Sequence, residues 1–180
     1  MKGRILLVDD ERLLVVTLGR ALSAFGFEVD TAVTGEDALA SVERQEYDVI
    51  VTDLRMEGED GFAVLRQARS RDPQVCVVVI TGYSNEDAGL EALRQGADDY
   101  LFKPFQPEEL VLRVARQAEK RELRRKVLRY ERLLGVCSRC GRFRWVPGPE
   151  GGRWAALSEP AGPASVERLS PTPCPGCQGV

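Results

Sequence analysis

Five residues with ligand or nucleophile chemistry stand at the ends of apolar runs in this sequence. Asp9 and Asp10 follow the first run, Asp53 follows the third, and Thr81 and Lys103 end the fourth and fifth. Carboxylates that meet at one place repel one another, so their pKa values rise or they bind a hard cation. Mg²⁺ takes oxygen ligands and keeps several waters, which leaves room for phosphate oxygens. A hydroxyl and an ammonium would hold those oxygens, so the set predicts phosphoryl transfer to a carboxylate.

A parallel sheet with crossover helices would bring these residues together. Short apolar runs alternate with amphipathic stretches of helical length from Arg4 to Phe102, the pattern of α/β proteins. The carboxyl ends of such strands face a functional crevice if the strand order reverses beside strand one. We expect five strands, at Arg4 to Val8, Glu28 to Ala32, Asp48 to Thr52, Val75 to Thr81 and Tyr100 to Phe102.

The intervening stretches predict four helices, and a fifth follows the last strand. The four are expected at residues 12–24, 35–44, 61–70 and 85–95, with Gly96 as a left-handed end of the last. The fifth begins at Pro107, and good helix formers continue through Leu134 without Gly or Pro. Its apolar spacing favours either a short dimer contact or a helix packed on its own chain; the positions are Leu123, Val127, Tyr130 and Leu134.

Length and composition limit the class of protein. A chain of 180 residues holds one domain of ordinary size plus a small appendage. No apolar run approaches the ~20 residues that cross a bilayer, and no signal peptide follows Met1, so we expect a cytoplasmic protein with no membrane partner. The absence of histidine excludes an imidazole base, a His ligand or a phosphohistidine within this chain.

Charge is distributed unevenly along the chain. Residues 1–112 carry a net charge of −11, residues 113–144 carry +9, and the remainder carries −1. An acidic first part joined to a basic connector indicates that the two parts meet different partners. The composition turns to Gly, Pro, Arg and Cys after Gly135, which predicts a main domain at 1–119, a helical linker at 120–135 and a separate module at 136–180.

The order and spacing of four motifs resemble those of the receiver domains of bacterial response regulators, over residues 3–119. The motifs are Leu7-Val8-Asp9-Asp10-Glu11, Asp53-Leu54-Arg55-Met56 with Gly58, Asp60 and Gly61, Thr81-Gly82, and Tyr100-Leu101-Phe102-Lys103-Pro104-Phe105. The resemblance implies a flavodoxin-like, doubly wound parallel sheet with strand order 2-1-3-4-5. It also implies a non-enzymatic signalling protein that takes its phosphoryl group from a partner histidine kinase or phosphotransfer protein.

The resemblance assigns a metal site and a phosphoacceptor. Asp53 would accept the phosphoryl group, and Asp10, Asp53 and the backbone carbonyl of Arg55 would bind Mg²⁺. Asp9 would act on the metal directly or through a water. One departure is Glu57, which stands where the family commonly has proline and adds a charge beside the acceptor.

The resemblance also assigns a switch. Thr81 would hydrogen-bond the phosphoryl group and shift toward it, Lys103 would pair with it, and Tyr100 would turn inward when Thr81 moves. The Lys103-Pro104 bond would be cis, which X-Pro bonds accept at low cost. Arg55 and Tyr83 would tune access of hydrolytic water.

The tail contains two C-x-x-C pairs, Cys137 with Cys140 and Cys174 with Cys177. Each pair offers two thiolates on a tight turn, which suits tetrahedral Zn²⁺. A separation of 33 residues exceeds the usual ribbon spacing, so iron, redox-active thiols and disulfides stay open as alternatives. The fifth cysteine, Cys76, lies within an apolar strand and is expected in the core.

Three functions remain open from the sequence alone. The first is a phosphorylation-controlled switch whose output is a protein contact of the long helix or the cysteine module. The second is a nucleic-acid-binding regulator that uses the basic segment 113–144. The third is a phosphohydrolase of the haloacid dehalogenase type, which requires an Asp-x-Asp arrangement after strand one, where this chain has Asp9-Asp10-Glu11.

Overall fold

A computed structural model gives the fold of the chain and describes residues 2–56, 61–82, 86–136, 143–145 and 154–155. The chain folds as two compact units, Met1–Glu122 and Leu123–Val180. The strands of the first unit are β1 Arg4–Val8, β2 Glu28–Ala32, β3 Val49–Asp53, β4 Cys76–Gly82 and β5 Asp99–Lys103. Its helices are α1 Arg12–Ala24, α2 Gly35–Arg44, α3 Gly61–Arg71, α4 Glu86–Arg94 and α5 Pro107–Leu133, the last of which continues into the second unit.

The five strands form a parallel sheet in the order β2-β1-β3-β4-β5, as predicted. The order reverses beside β1, so a crevice opens where the carboxyl ends of β1 and β3 diverge. Strands β3 and β4 each lie one residue further along the chain than the sequence indicated, and β5 is one residue longer at each end. Asp53 pairs with Ile80 and is therefore the last residue of β3 rather than the first residue after it.

Two apolar cores cover the sheet, one on each face. Side chains of α1 and α5 pack on the first face against alternate strand residues such as Leu7, Val51 and Val78. Side chains of α2, α3 and α4 pack on the second face against the intervening residues, such as Val77. Burial on both faces explains why the central strands read as continuous apolar runs.

Two local predictions are confirmed, the left-handed end of α4 at Gly96 and the cis bond at Lys103-Pro104. Gly96 has a φ of 102°, and its N–H bonds the carbonyl of Leu93 at 3.0 Å, which ends α4 in a left-handed turn. The Thr34 hydroxyl accepts from the N–H of Asp37 and caps α2. The Lys103-Pro104 peptide is cis.

The second unit contains a small antiparallel sheet that the sequence did not reveal. Its strands are β6 Leu134–Val136, β7 Phe143–Trp145 and β8 Trp154–Ala155, in the order β6-β7-β8. Helix α5 ends at Leu133, so Leu134 pairs with Trp145 in a strand and is not the last member of a helical seam. Leu123 and Val127 are about half exposed on α5. The side chain of Tyr130 lies outside the described residues, so the dimer contact stays a prediction.

Arg121 fixes α5 to the amino edge of the sheet, opposite the crevice. Its side chain is 1% exposed and forms ion pairs with Asp72 at 2.7 Å and with Asp48 at 3.1 Å. One residue earlier, Lys120 pairs with Asp98 at 3.2 Å. A buried guanidinium is costly without such partners. Asp48, Asp72 and Asp98 precede β3, β4 and β5, respectively. Two adjacent residues of α5 therefore bind the amino ends of three strands.

We predict that Arg121→Ala lowers the free energy of unfolding by about 2–4 kcal/mol, because it leaves a cavity and removes a shared partner of two acids. Arg121→Met should lose less than half of that, since it refills the volume and both acids retain partial exposure to water. Urea unfolding monitored by circular dichroism measures both. Arg116→Ala, at an exposed position of α5, is the control and should change stability by less than ~0.5 kcal/mol. Equal effects at positions 116 and 121 would contradict the anchoring role.

Candidate functional site

Three acids meet at the carboxyl edge of the sheet. Asp9 directly follows β1, Asp10 is the next residue, and Asp53 ends β3. Each offers a carboxylate oxygen, and these oxygens all lie within 4.8 Å of one another. Asp9 is fully buried and Asp53 is 5% exposed, whereas Asp10 is exposed. The strand order therefore places next to each other acids that are more than forty residues apart in the chain.

Lys103, the last residue of β5, lies against this cluster. Its Nζ is 2.7 Å from Asp53 Oδ2, 2.7 Å from Asp9 Oδ2 and 2.9 Å from Glu11 Oε1. An ammonium has three hydrogens, and three carboxylates surround this one. The sequence predicted the first two neighbours but gave Glu11 no role.

Burial and neighbouring charges shift the pKa values of Asp9 and Lys103 in opposite directions. Burial raises the pKa of Asp9 above its ordinary value, and the hydrogen bond from Lys103 offsets this only in part. Burial alone would lower the pKa of Lys103, but its hydrogen bonds to Asp53, Asp9 and Glu11 outweigh burial and raise it. Lys103 therefore stays protonated at neutral pH, and the acid cluster still favours additional positive charge.

The loop after β3 holds Asp53 in place. The N–H of Arg55 donates to Asp53 Oδ1 at 2.9 Å, which puts the backbone of residue 55 beside the carboxylate. Gly61 opens α3 so close to this turn that a Cβ there would lie 2.0 Å from the backbone oxygen of Asp53. Only glycine permits that approach. Whether the Arg55 carbonyl is a metal ligand stays a prediction, and Glu57, Gly58 and Asp60 lie outside the described residues.

Thr81 and Tyr100 lie on the α2–α3–α4 side of the sheet. Thr81 is fully buried, and its Oγ1 has no hydrogen-bond partner among the residues that the structure describes. Tyr100 is half-buried, and its ring packs on the second apolar core and edge-on against Phe102 at 5.1 Å. Helix α4 has a glycine at the point of contact, since a Cβ on Gly89 would lie 3.1 Å from the Tyr100 ring. Tyr83 lies outside the described residues.

The residues present fit a Mg²⁺ ion. Carboxylate oxygens of two buried acids and one exposed acid lie within 4.8 Å of one another, and one ammonium contacts the two buried acids. A hard divalent cation takes such oxygens at ~2.1 Å and completes its octahedron with water. The buried Thr81 hydroxyl, which lacks a partner among the described residues, is a hydrogen-bond donor and suits a phosphoryl oxygen rather than the cation. Metal binding by Asp9, Asp10 and Asp53 is a proposal that this geometry supports.

The cysteine predictions separate into two groups. Cys76 is buried in β4, where its Sγ lies 3.4 Å from the backbone oxygen of Gln117, so its place in the core is confirmed. The four cysteines of the C-x-x-C pairs lie outside the described residues; they are Cys137, Cys140, Cys174 and Cys177. Their zinc site stays a prediction.

Comparison with known proteins identifies the first unit. A family model described as the response regulator receiver domain matches residues 5–115, which include the acids, Thr81, Tyr100 and Lys103 but not the four C-x-x-C cysteines. The chain belongs to this family. The five-stranded parallel sheet and the acids at its carboxyl edge are thus those of a receiver domain.

Relatives share this domain and extend far beyond it. The alginate biosynthesis transcriptional regulatory protein AlgB of Pseudomonas aeruginosa is 41% identical over 122 residues, covering 68% of this chain and 27% of AlgB. The DNA-binding transcriptional regulator NtrC of Salmonella typhimurium is 39% identical over 115 residues, 64% of this chain and 24% of NtrC. A crystal structure of NtrX from Brucella abortus in complex with ADP superposes with a TM-score of 0.67 at 33% identity, covering 71% of this chain and 29% of NtrX. This chain therefore spans about a quarter to a third of their length.

We predict that Asp9→Asn stabilises the metal-free protein at pH 7. The raised pKa of Asp9 means that the folded state holds this proton more tightly than the unfolded chain does. Ionisation of Asp9 therefore costs stability as the pH rises from about 4 through its folded pKa, and asparagine removes that cost. Thermal unfolding at pH 3.5 and pH 7 measures the difference, which should be present only at the higher pH. Equal stability of both proteins at pH 7, or a less stable Asp9→Asn, would contradict the prediction.

Proposed function

We propose that Asp53 accepts a phosphoryl group in a Mg²⁺-dependent reaction and that the chain acts as a phosphorylation-controlled switch. One observation carries the proposal. The carboxylate of Asp53 lies at the carboxyl edge of the sheet within reach of two further acids and in contact with the ammonium of Lys103. Membership of the receiver family supports this reading, and relatives named as transcriptional regulators support signalling rather than metabolic turnover.

The chain's own groups account for the transfer. A carboxylate oxygen of Asp53 forms a bond to phosphorus while the bond from phosphorus to the donor atom breaks and leaves its electron pair on the donor. Mg²⁺, when bound, neutralises charge on the phosphoryl oxygens. Lys103 supplies a second positive charge at the same edge, and its contact with Asp53 supports this role. Asp10, Asp53 and the backbone carbonyl of Arg55 would hold the metal, and Asp9 would act on it directly or through a water.

The donor comes from outside the chain. No histidine is present, so a phosphohistidine intermediate must belong to a partner. We propose a sensor histidine kinase or a phosphotransfer protein as that partner, in keeping with the receiver family. The crevice is open at Asp10 and Glu11, which are exposed, and this gives a phosphorylated side chain a route to Asp53.

Phosphorylation of Asp53 would change the conformation of Thr81 and Tyr100. The Thr81 hydroxyl has no partner among the described residues and would turn to a phosphoryl oxygen, because a buried donor without an acceptor costs free energy. That movement would vacate space on the face that Tyr100 shares, and the ring would turn inward. Gly89 leaves α4 in direct contact with the ring, so the turn would change the packing of α4 against β5. Such a change is a shift between two packed states.

The output is proposed to lie after the receiver domain. We propose the division into 1–119, 120–135 and 136–180, with a protein contact made by α5 or by the cysteine module as the result. A structural zinc bound by the four C-x-x-C cysteines and a homodimer through α5 belong to the same proposal and rest on residue spacing alone. Among the described residues, no helix is long and apolar enough to cross a membrane.

We predict that the full chain, incubated with Mg²⁺ and a ³²P-labelled acyl phosphate, incorporates one phosphoryl group per chain and that Asp53→Asn abolishes the label. Asparagine keeps the shape of the side chain but lacks the nucleophilic oxygen charge. EDTA should prevent labelling of the unmodified chain. Intact-protein mass spectrometry measures the stoichiometry.

Asp37→Asn is the matched control, because Asp37 is an exposed carboxylate on the first turn of α2. It should label like the unmodified chain. If Asp53→Asn labels equally well, the proposed function is wrong. Continuous release of phosphate from a small phosphate ester, rather than a single stoichiometric label, would favour the phosphohydrolase.

A nucleic-acid output is a second candidate that one observation favours. The part of α5 that belongs to the second unit carries exposed cations, namely Arg124, Arg125 and Lys126. Positive side chains on one helix attract phosphates without reading sequence. The similarity to proteins named as transcriptional regulators adds support.

We predict for this candidate that the full chain binds duplex DNA with an affinity that falls steeply with salt, by about tenfold or more between 50 and 200 mM, as for several phosphate contacts. Binding should survive Asp53→Ala and weaken when Arg124, Arg125 and Lys126 are replaced by glutamine. Loss of binding on chelation would place the cysteine module in the interface. Fluorescence anisotropy measures each case, and a salt-independent or undetectable signal would leave the protein contact as the output.

A further inference from the structure

Glu11 makes a contact that none of the assigned roles uses. It is the residue before α1, yet its side chain does not cap the helix. Its backbone N–H donates to Asp9 Oδ1 at 2.9 Å, and its carboxylate extends to Lys103 Nζ, 92 residues away in the chain, at 2.9 Å. The Glu11 side chain is 64% exposed, whereas that of Lys103 is 20% exposed and that of Asp9 is buried.

The position of the ammonium creates a competition. Lys103 Nζ lies 2.7 Å from oxygens of both Asp9 and Asp53, two of the three acids that converge for a cation. A divalent ion entering among the same oxygens would meet this positive charge at a few ångströms. Repulsion between such charges amounts to several kcal/mol at the intermediate dielectric of a protein edge. Metal binding therefore requires Lys103 to give up at least part of its contact with these two acids.

The Glu11 carboxylate is an alternative ion-pair partner for the Lys103 ammonium. Of the three acids around Lys103, it is the one outside the converging metal cluster, and it lies toward solvent. A lysine on a flexible stem can pivot toward Glu11 while it remains beside Asp53, because its contact with Glu11 already exists. An ordinary exposed ion pair stabilises by less than about 1 kcal/mol. This pair differs because its lysine also contacts two buried acids.

We propose that Glu11 is a positioning residue that draws the Lys103 ammonium toward the rim when a divalent cation enters, and so relieves its competition for Asp9 and Asp53. The inference rests on the proposed function, since it assumes that Mg²⁺ binds the acid cluster. The Glu11 carboxylate pairs with Lys103 and is not one of the three acids that converge for a cation. Its effect on Mg²⁺ therefore passes through Lys103.

The alternative is that Glu11 attracts Mg²⁺ directly as one more negative charge. The two explanations differ in how Glu11 and Lys103 combine. A direct attraction acts whether or not residue 103 is charged. A positioning role disappears once there is no ammonium to move.

A double-mutant cycle separates them, with the Mg²⁺ dissociation constant of the full chain measured by isothermal titration calorimetry. We expect Glu11→Gln to weaken Mg²⁺ binding by about threefold to fivefold, the size of a modest coupling between neighbours. Lys103→Met should strengthen it, because the competitor is gone. In the Lys103→Met background, Glu11→Gln should then change the dissociation constant by less than about twofold.

Two further variants serve as controls. Glu36→Gln removes an exposed carboxylate from the first turn of α2 and should leave Mg²⁺ binding unchanged, since Glu36 is not an ion-pair partner of Lys103. Lys103→Arg keeps the positive charge, so Glu11→Gln should still weaken binding there. If Lys103→Met does not fold, as judged by circular dichroism, Lys103→Gln is the neutral background.

The outcomes are distinct. An equal effect of Glu11→Gln in the lysine and the neutral backgrounds, or no effect in either, overturns the positioning role and leaves the proposed function intact. Absence of Mg²⁺ binding by the unmodified chain overturns the proposed function instead. A loss of the Glu11 effect in the neutral background alone supports the inference.

Discussion

The repulsion between carboxylates at the carboxyl edge of the sheet is the constraint on which the rest of the structure depends. Asp9 and Asp53 are buried side by side, and their charges are tolerated because Lys103 crosses from β5 to pair with both. That pairing requires β1, β3 and β5 to end at the same edge. The parallel order and the two apolar cores that enforce it are therefore conditions for the site as well as for stability.

The sequence predicts this sheet well because its strands are covered on both faces. Val77 to Ile80 is fully buried and apolar at every position, so it is recognisable without knowledge of its neighbours. The same reasoning fails for β6 and β8, which have only three and two residues. Their pairing depends on contacts between distant segments. The helix predicted through Leu134 is one residue too long for that reason, since local propensity favours a helix until the strand partner is known.

Some residues of the site could be predicted from the sequence and others could not. Asp9, Asp53 and Lys103 could be predicted because each stands at the end of a recognisable strand. Glu11 could not, because an acid at a helix start usually serves as a local cap, and its contact with a residue of β5 is visible only in three dimensions. Arg121 is a second case. It lies within a basic segment that suggests an exposed surface, yet it is one of the most buried side chains in the described part of the chain.

The two edges of the sheet differ in the ratio of cations to acids, and this difference distinguishes the site from the scaffold. At the amino edge, Asp48 and Asp72 share the buried Arg121, and Asp98 pairs with both Arg69 and Lys120. At the carboxyl edge, Lys103 is the ion-pair partner, among the described residues, of Asp9, Glu11 and Asp53 together. Cations matched to acids hold a structure in one state. One ammonium shared by three acids leaves negative charge unmatched, and an edge of that kind favours the binding of a second cation.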